Sequence, residues 1–140
     1  MSEQNKTLTR RFYEEVFNQK KLGTVDELCA PGFVDHNPGP GQAPGLQGLK
    51  DWMQQFFQAF PDLTATVHEM VAERDLVVTR LTCQGTHKGA IAGAAPTGKK
   101  VTFTALDMVR IKDGRATEVW HEGNDVAVLM ELGAQIPATP

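Results

Sequence analysis

Residues 101–122, VTFTALDMVRIKDGRATEVWHE, constrain the fold more than any other stretch, because they have the pattern of a β-hairpin. Apolar side chains alternate along the first arm, as expected of a strand with one buried face. These side chains are Val101, Phe103, Ala105, Val109 and Ile111. Asp107 falls in the same row, so an acid lies among apolar residues. The tripeptide Lys112-Asp113-Gly114 then predicts the turn.

The geometry of this turn decides which residues share a face of the hairpin. A three-residue loop with Gly114 in the left-handed conformation would pair Asp107 with Val119 and place His121 diagonally from Asp107 on the same face. A two-residue Asp-Gly turn would instead put Trp120 opposite Asp107 and send His121 to the other face. We favour the first register. It predicts a carboxylate and an imidazole on one apolar wall, which is a plausible pair for acid–base catalysis.

Both residues also have a structural interpretation. Asp107 could be a carboxylate that pairs with an arginine or a backbone donor, and His121 could be a hydrogen-bonded core histidine. If both line a pocket, a mutual hydrogen bond would fix the imidazole tautomer, and either residue could be the base.

Composition and length indicate one domain, residues 1–140, of an ordinary globular protein. The chain is 41% hydrophobic and its formal net charge is −3, which gives no electrostatic reason to expect nucleic acid or a membrane as partner. The N-terminus MSEQNKTLTRR lacks the apolar core of a signal peptide. Cys29 and Cys83 fit two free thiols, so we expect a cytoplasmic protein.

Periodicity along the chain predicts helices first and strands afterwards. Helices are expected over residues 5–20, in a short segment opened by a capping box of Thr24 and Glu27, and over about 46–60. Strands are expected over 63–72 and 76–87, before the hairpin. A last helix should begin near Asn124 or Asp125 and end at Gly133, followed by a frayed tail over 135–140. This order predicts an α+β fold in which a strongly curved antiparallel sheet wraps over the N-terminal helices and encloses an apolar pocket.

Several other side chains are candidates for contact with a substrate in such a pocket. Asp35 and His36 would reach its mouth if the segment PGPGQAPG, which we expect to be mobile without ligand, folds over it as a flap. Tyr13 borders the apolar stripe of the first helix, and Asn124 could contact substrate or only cap the last helix. The remaining candidates are Trp52, Phe56, His87, Phe103 and Trp120.

Other chemistries lack a signature in this sequence. The four histidines are His36, His68, His87 and His121, and no two are spaced as zinc ligands usually are. No Gly-x-Ser-x-Gly elbow is present, and neither cysteine lies in a nucleophile motif. We therefore expect no metal and no cofactor, and proton transfer by Asp, Glu, His or Tyr remains.

A family resemblance follows from a set of short motifs. RRFYEEVFNQ, APGFVDH, FPDL, GTHKG, PTGKKVTFTALDMVRIKDGRATEVW and LMELG resemble the SnoaL-like polyketide cyclases, which have the nuclear-transport-factor-2-like (NTF2-like) fold. The resemblance covers about residues 8–133. It implies a cone-shaped α+β barrel with a deep apolar pocket, and a cofactor-free intramolecular aldol closure of a polyketide ester.

The resemblance also implies roles for individual positions. The anthracycline cyclases of the family have a catalytic Asp at the position of His121 and a His at the position of Asp107, so this sequence inverts the pair. Asp35 falls where those cyclases have a polar pocket residue, and Asn124 falls at a frequent family Asp.

We therefore expect a cofactor-independent acid–base enzyme that acts on a small, largely apolar carbonyl compound, with aldol cyclisation as the leading reaction. The alternatives are an isomerase, dehydratase or epoxide hydrolase on the same fold, or a non-catalytic module for ligand binding or dimerisation. We also expect a homodimer, because apolar side chains should remain on the outer face of the sheet. These are Leu76, Val78, Leu106 and Met108.

Overall fold

The computed structural model describes residues 2–136, which form helices around one sheet. The helices are α1 (Ser2–Arg11), a π-helical segment (Phe12–Asn18) that continues α1, α2 (Thr24–Leu28), α3 (Gly45–Ala59) and α4 (Asp125–Glu131). The strands are β1 (Cys29–Asp35), β2 (Thr64–Glu73), β3 (Leu76–Thr86), β4 (Lys100–Lys112) and β5 (Arg115–Gly123). The frayed tail expected over 135–140 lies, for residues 137–140, outside the described residues.

The sheet has five strands in the order β1-β5-β4-β3-β2. The pairs from β2 to β5 are antiparallel, whereas β1 runs parallel to β5. The α+β class is thus confirmed, and two details are corrected. The sheet is mixed rather than antiparallel, and it is open rather than a closed barrel, because β1 and β2 are edge strands that do not pair with each other.

The hairpin of β4 and β5 differs from both registers considered above. Lys112 pairs with Arg115 across a two-residue turn in which Asp113 and Gly114 have positive φ angles, as this type of turn requires. The favoured three-residue loop was therefore wrong. The register then shifts between Arg110 and Ile111, and one extra residue, Thr117, is accommodated in β5.

Without this β-bulge, the two-residue turn would place His121 on the face opposite Asp107; the bulge brings it back to the same face. Beyond it Arg110 pairs with Glu118 and Asp107 pairs directly with His121, so the two candidate residues do share a face. The Thr117 hydroxyl donates a hydrogen bond to the Arg110 carbonyl at 3.3 Å. The face expected for His121 was right, but the reason for it was wrong.

The helices pack against the inner face of the sheet. The π-helical segment is held there by Asn18, whose side-chain amide accepts from the Ala65 N–H at 2.7 Å and donates to the Ala65 carbonyl at 3.1 Å. Residues 12–18 place Tyr13 and Val16, both buried, toward the sheet. Irregular π-helical turns are frequent at functional sites, and this one positions a tyrosine.

The short helix α2 begins differently from the expectation. Gly23, not Thr24, is the N-cap residue, and no side chain caps this end. The capping box of Thr24 and Glu27 is therefore wrong, and Glu27 instead forms an ion pair with Arg11 at 2.8 Å. Within residues 2–136, no helix combines the length and the hydropathy needed to cross a membrane.

Candidate active site

A cavity of about 170 Å³ lies between the helices and the inner face of the sheet. Its walls are mainly apolar and come from α1, the π-helical segment, α3 and four strands. The apolar side chains that line it include Leu8, Phe12, Phe17, Phe33, Leu49, Trp52, Met53, Phe56, Phe57, Leu81, Phe103 and Val109. Such a surface favours an apolar ligand, with orientation left to the few polar groups that reach it.

Four polar side chains form a continuous hydrogen-bonded cluster on one wall of this cavity. The Tyr13 hydroxyl donates to Oδ2 of Asp107 at 2.7 Å. Oδ1 of Asp107 lies 2.5 Å from Nδ1 of His121. Nε2 of His121 lies 3.1 Å from Oδ1 of Asp125. We call Tyr13, Asp107, His121 and Asp125 the polar cluster, and all four line the cavity.

Each member of the cluster comes from a different element. Tyr13 is carried by the π-helical segment, Asp107 by the middle of β4, and His121 by the end of β5. Asp125 is the first residue of α4, so its side chain can turn back to His121 on the preceding strand. The cluster depends on tertiary packing, because Tyr13 and His121 are far apart in the chain.

The electrostatics of the cluster favour a protonated imidazole. Burial is the largest influence on the pKa of His121 and lowers it. The hydrogen bonds to Asp107 and Asp125, with the negative charges of both acids, outweigh burial and raise the pKa of His121 to about 10. At neutral pH His121 is therefore an imidazolium that donates from both ring nitrogens.

The pKa values of Asp125 and Tyr13 are also shifted, the first downward and the second upward. Burial raises the pKa of Asp125, but the hydrogen bond and charge of His121 prevail, and the net pKa is lowered. Burial, followed by the charge of Asp107, raises the pKa of Tyr13 well above its usual value. Asp125 is therefore ionised at neutral pH and Tyr13 keeps its proton.

A second set of polar side chains, Asp35, Asn37 and Gln42, also lines the cavity. Oδ2 of Asp35 accepts from the side-chain amide of Gln42 at 2.9 Å, and the Gln42 carbonyl oxygen accepts from the Gly39 N–H at 2.9 Å. The side chain of Asn37 accepts from the backbone N–H of His121 at 2.8 Å. These contacts fold the proposed flap against β5, beside the polar cluster.

The cavity brings together most of the residues that the sequence indicated. Asp107 and His121 line it together with Tyr13 and Asp35. The aromatic candidates Trp52, Phe56 and Phe103 also line it. Their roles in binding or catalysis stay predictions.

Strand alternation places two of the candidates on the opposite face of the sheet. His36 follows Asp35 and Trp120 precedes His121, and successive side chains of a strand point to opposite sides. The two rings stack on each other with centroids 4.5 Å apart, and His36 also contacts Glu118 at 3.1 Å. The interpretation of His36 and Trp120 as pocket residues is corrected accordingly.

Two further candidates have structural contacts instead. His87 is fully buried at the end of β3, where Nδ1 accepts from the Thr97 N–H at 3.2 Å. The interpretation of His87 as a cavity-lining residue is therefore corrected. Asn124 is the N-cap residue of α4, as expected, but its side chain makes no capping hydrogen bond and instead accepts from the Thr104 N–H at 2.8 Å, which ties α4 to β4.

Sequence reasoning missed Asp125, Asn37 and Gln42 as residues of the cavity wall. Asp125 follows His121 by four positions, but the intervening strand end and turn make this spacing uninformative. Asn37 had a signal, since it continues the alternation of Phe33 and Asp35 along the extended segment. Among the described residues, no group of three or more Cys, His, Asp or Glu side chains has a geometry suited to a metal ion.

The fold and the cavity together define a class, the small α+β pocket proteins with the NTF2-like fold. A sequence model of the SnoaL-like polyketide cyclases matches residues 7–132, nearly the whole chain. The chain belongs to this family.

Solved structures agree with this assignment. IdmH from Streptomyces antibioticus, a proposed polyketide cyclase, is 38% identical, with a TM-score of 0.79 over 94% of this chain and 99% of its own. AclR from Streptomyces galilaeus, a proposed hydroxylase, is 27% identical, with a TM-score of 0.80 over 99% of this chain and 85% of its own. A proposed polyketide cyclase from Bacillus cereus is 28% identical, with a TM-score of 0.78 over 93% of this chain and 80% of its own. A search of curated proteins found no match.

Proposed function

We propose that this protein is a cofactor-independent acid–base enzyme that acts on a small, largely apolar carbonyl compound. The leading reaction is the intramolecular aldol cyclisation of a polyketide ester. One observation carries the proposal: the polar cluster joins a carboxylate, an imidazole and a phenol by hydrogen bonds on the wall of an otherwise apolar cavity. A binding module has no need for ionised groups in such a wall, because burying them costs free energy.

The chemistry required of the site is modest. A base removes a proton from a carbon acidified by flanking carbonyls, and the electron pair moves to a carbonyl oxygen to give an enolate. The enolate carbon then attacks a second carbonyl of the same molecule, and the new alkoxide takes a proton. Aromatic side chains such as Trp52, Phe56 and Phe103 would fold the substrate so that the reacting carbons approach each other.

We further propose that the enzyme is a homodimer formed through the outer face of the sheet. The pairing across the strands aligns four apolar side chains into a row on that face: Val71, Val78, Met108 and Trp120. Leu106 lies next to this row and is 51% exposed. A second copy would cover the row, since isologous contacts between like faces are the commonest assembly.

Mass spectrometry with a panel of aromatic polyketide esters and other β-dicarbonyl compounds tests the proposed reaction. Aldol addition within one molecule leaves the mass unchanged and shifts the chromatographic retention, whereas subsequent aromatisation removes water. We expect such a product with the wild-type protein and with Glu122→Gln, and its loss with Asp107→Asn. Glu122 is a matched control because it is an exposed acid that pairs with Leu106 on the outer face. Equal product formation by Asp107→Asn would exclude the proposed site.

A further inference from the structure

The hydrogen bonds of the polar cluster leave one carboxylate oxygen open. Both oxygens of Asp107 have a partner, namely the Tyr13 hydroxyl on Oδ2 and Nδ1 of His121 on Oδ1. Asp125 uses only Oδ1, which faces Nε2 of His121. Among residues 2–136, the one side-chain hydrogen bond to this carboxylate is that of His121, and the backbone N–H of Asp125 adds a hydrogen bond within its own residue.

The two acids also differ in their access to the cavity. The side chain of Asp107 is 13% exposed, because it lies behind Tyr13 and His121 in the middle of β4. The side chain of Asp125 is 27% exposed and lines the cavity from the start of α4. Asp125 therefore offers a free lone pair to a ligand, whereas Asp107 is enclosed by its own partners.

We propose that Asp125 is the catalytic base, and that Asp107 and His121 are positioning residues that hold its carboxylate toward the cavity. This inference rests on the proposed function and assigns the proton transfer within it. From the sequence, either Asp107 or His121 could be the base, and Asp125 was not a candidate.

His121 is unsuited to accept the proton itself. Both of its ring nitrogens face carboxylate oxygens, so an imidazolium there has no free lone pair and no N–H directed at a substrate. Its role is to bridge two acids of like charge, which would otherwise repel each other. The bridge also makes Asp125 a weaker base, so the substrate carbon must be acidic, as it is between two carbonyls.

The proposed reaction needs no proton donor or acceptor besides Asp125. The substrate C–H bond breaks, its proton forms an O–H bond with Oδ2 of Asp125, and its electron pair becomes the enolate. After the carbon–carbon bond forms, the alkoxide recovers the proton from Asp125. The enzyme is thereby returned to its starting state, and the overall reaction is an isomerisation.

The test uses 5-nitrobenzisoxazole, a neutral, flat aromatic probe that reports carbon deprotonation directly. A base removes its C3 proton, the ring N–O bond breaks, and the product is a coloured cyanonitrophenolate that is followed by absorbance. We expect the wild-type protein to accelerate this reaction over buffer. Asp125→Ala should lose roughly 10²- to 10⁴-fold of the protein-catalysed rate, the usual range for an acid–base group.

Rescue with formate distinguishes a base from a residue that positions one. Formate can occupy the space left by Asp125→Ala beside the cavity, and we expect it to restore part of the rate in proportion to its concentration. Asp107→Ala should also lose rate but should not respond to formate. Asp125→Asn keeps an acceptor for Nε2 of His121 and serves as a second variant if Asp125→Ala does not fold; it should be folded and inactive.

The remaining outcomes separate this inference from the proposed function. If formate rescues Asp107→Ala but not Asp125→Ala, or if Asp125→Asn keeps the wild-type rate, the assignment of Asp125 is overturned while acid–base catalysis in this cavity stands. If the wild-type protein is no faster than buffer, both proposals fail. Glu122→Gln should match wild type throughout.

Discussion

Asp107 and His121 are direct partners across β4 and β5, and Oδ1 of Asp107 lies 2.5 Å from Nδ1 of His121. The pair is the centre of a chain of contacts that starts at Tyr13 and ends at Asp125. Because the imidazole contacts an acid on each side, neither acid can change without affecting the other through His121.

This coupling predicts how the two residues contribute to turnover. Asp107→Asn and His121→Ala should each lower kcat by roughly 10² to 10⁴ on a substrate found in the screen described above. The double variant should lose little more than the worse single variant, since residues that act as a unit are not additive. Additive losses would show instead that the two side chains act independently.

Asp107→Asn also predicts an effect on stability. The substitution is isosteric and can keep a hydrogen bond from Tyr13, but it removes one of the two negative charges that hold the proton on His121. Its Tm should therefore lie below that of wild type near neutral pH and approach it as the pH rises toward about 10. Thermal unfolding followed by circular dichroism measures this. An unfolded Asp107→Asn whose residual folded fraction keeps full activity would identify Asp107 as structural.

The raised pKa of His121 predicts a dependence of stability on pH. Because the pKa rises from 6.5 in the unfolded chain to about 10 in the folded protein, the folded state binds the proton more tightly. This stabilisation is complete below about pH 6.5 and is lost as pH rises toward about 10. The Tm of the wild-type protein should therefore fall over this range.

A comparison with His121→Gln separates the contribution of His121 to stability from that of other groups that titrate at alkaline pH. The difference in Tm between wild type and His121→Gln should shrink steadily from pH 6.5 to about 10. His68→Gln is a suitable control, since His68 is exposed and its ring forms a hydrogen bond with the neutral side chain of Thr82. A difference that stays constant with pH would contradict a protonated His121.

The close contact between Gly48 and Ala43 predicts the behaviour of the flap. A Cβ atom on Gly48 would lie 1.8 Å from the Ala43 carbonyl oxygen, so Gly48→Ala must push the part of the flap around Ala43 away from α3. Overpacking of this kind costs about 1–3 kcal/mol, which should speed hydrogen exchange of the flap amides. Gly32→Ala has open space around the new methyl group and should leave exchange unchanged.

The row on the outer face predicts the assembly state. Light scattering at micromolar concentration should show a dimer for wild type and a monomer for Val78→Glu, which places a charge in the middle of the row. Gln54→Glu, on the exposed side of α3, should remain dimeric. A monomeric wild-type protein would remove the proposed dimer.

The sequence by itself determined most of the helices and strands and much of the apolar part of the cavity wall. Helix α3 begins and ends one residue before its predicted limits, and the alternation of apolar residues along β4 placed Asp107 on the buried face. These features can be predicted locally, because the backbone geometry of a helix or strand alone sets how often its side chains return to the same face. Hence local periodicity was enough to indicate Tyr13, Trp52, Phe56 and Phe103 as pocket residues.

Only the tertiary structure decided how those elements meet. Asp-Gly turns of either length suit the sequence at 112–114, and the bulge at Thr117 that brings His121 beside Asp107 leaves no local pattern. The parallel pairing of β1 with β5, which carries Asp35 to the cavity and His36 away from it, joins segments distant in the chain. Asp125 reaches His121 for the same reason: long-range packing, which local periodicity does not encode, sets the direction in which α4 leaves the sheet.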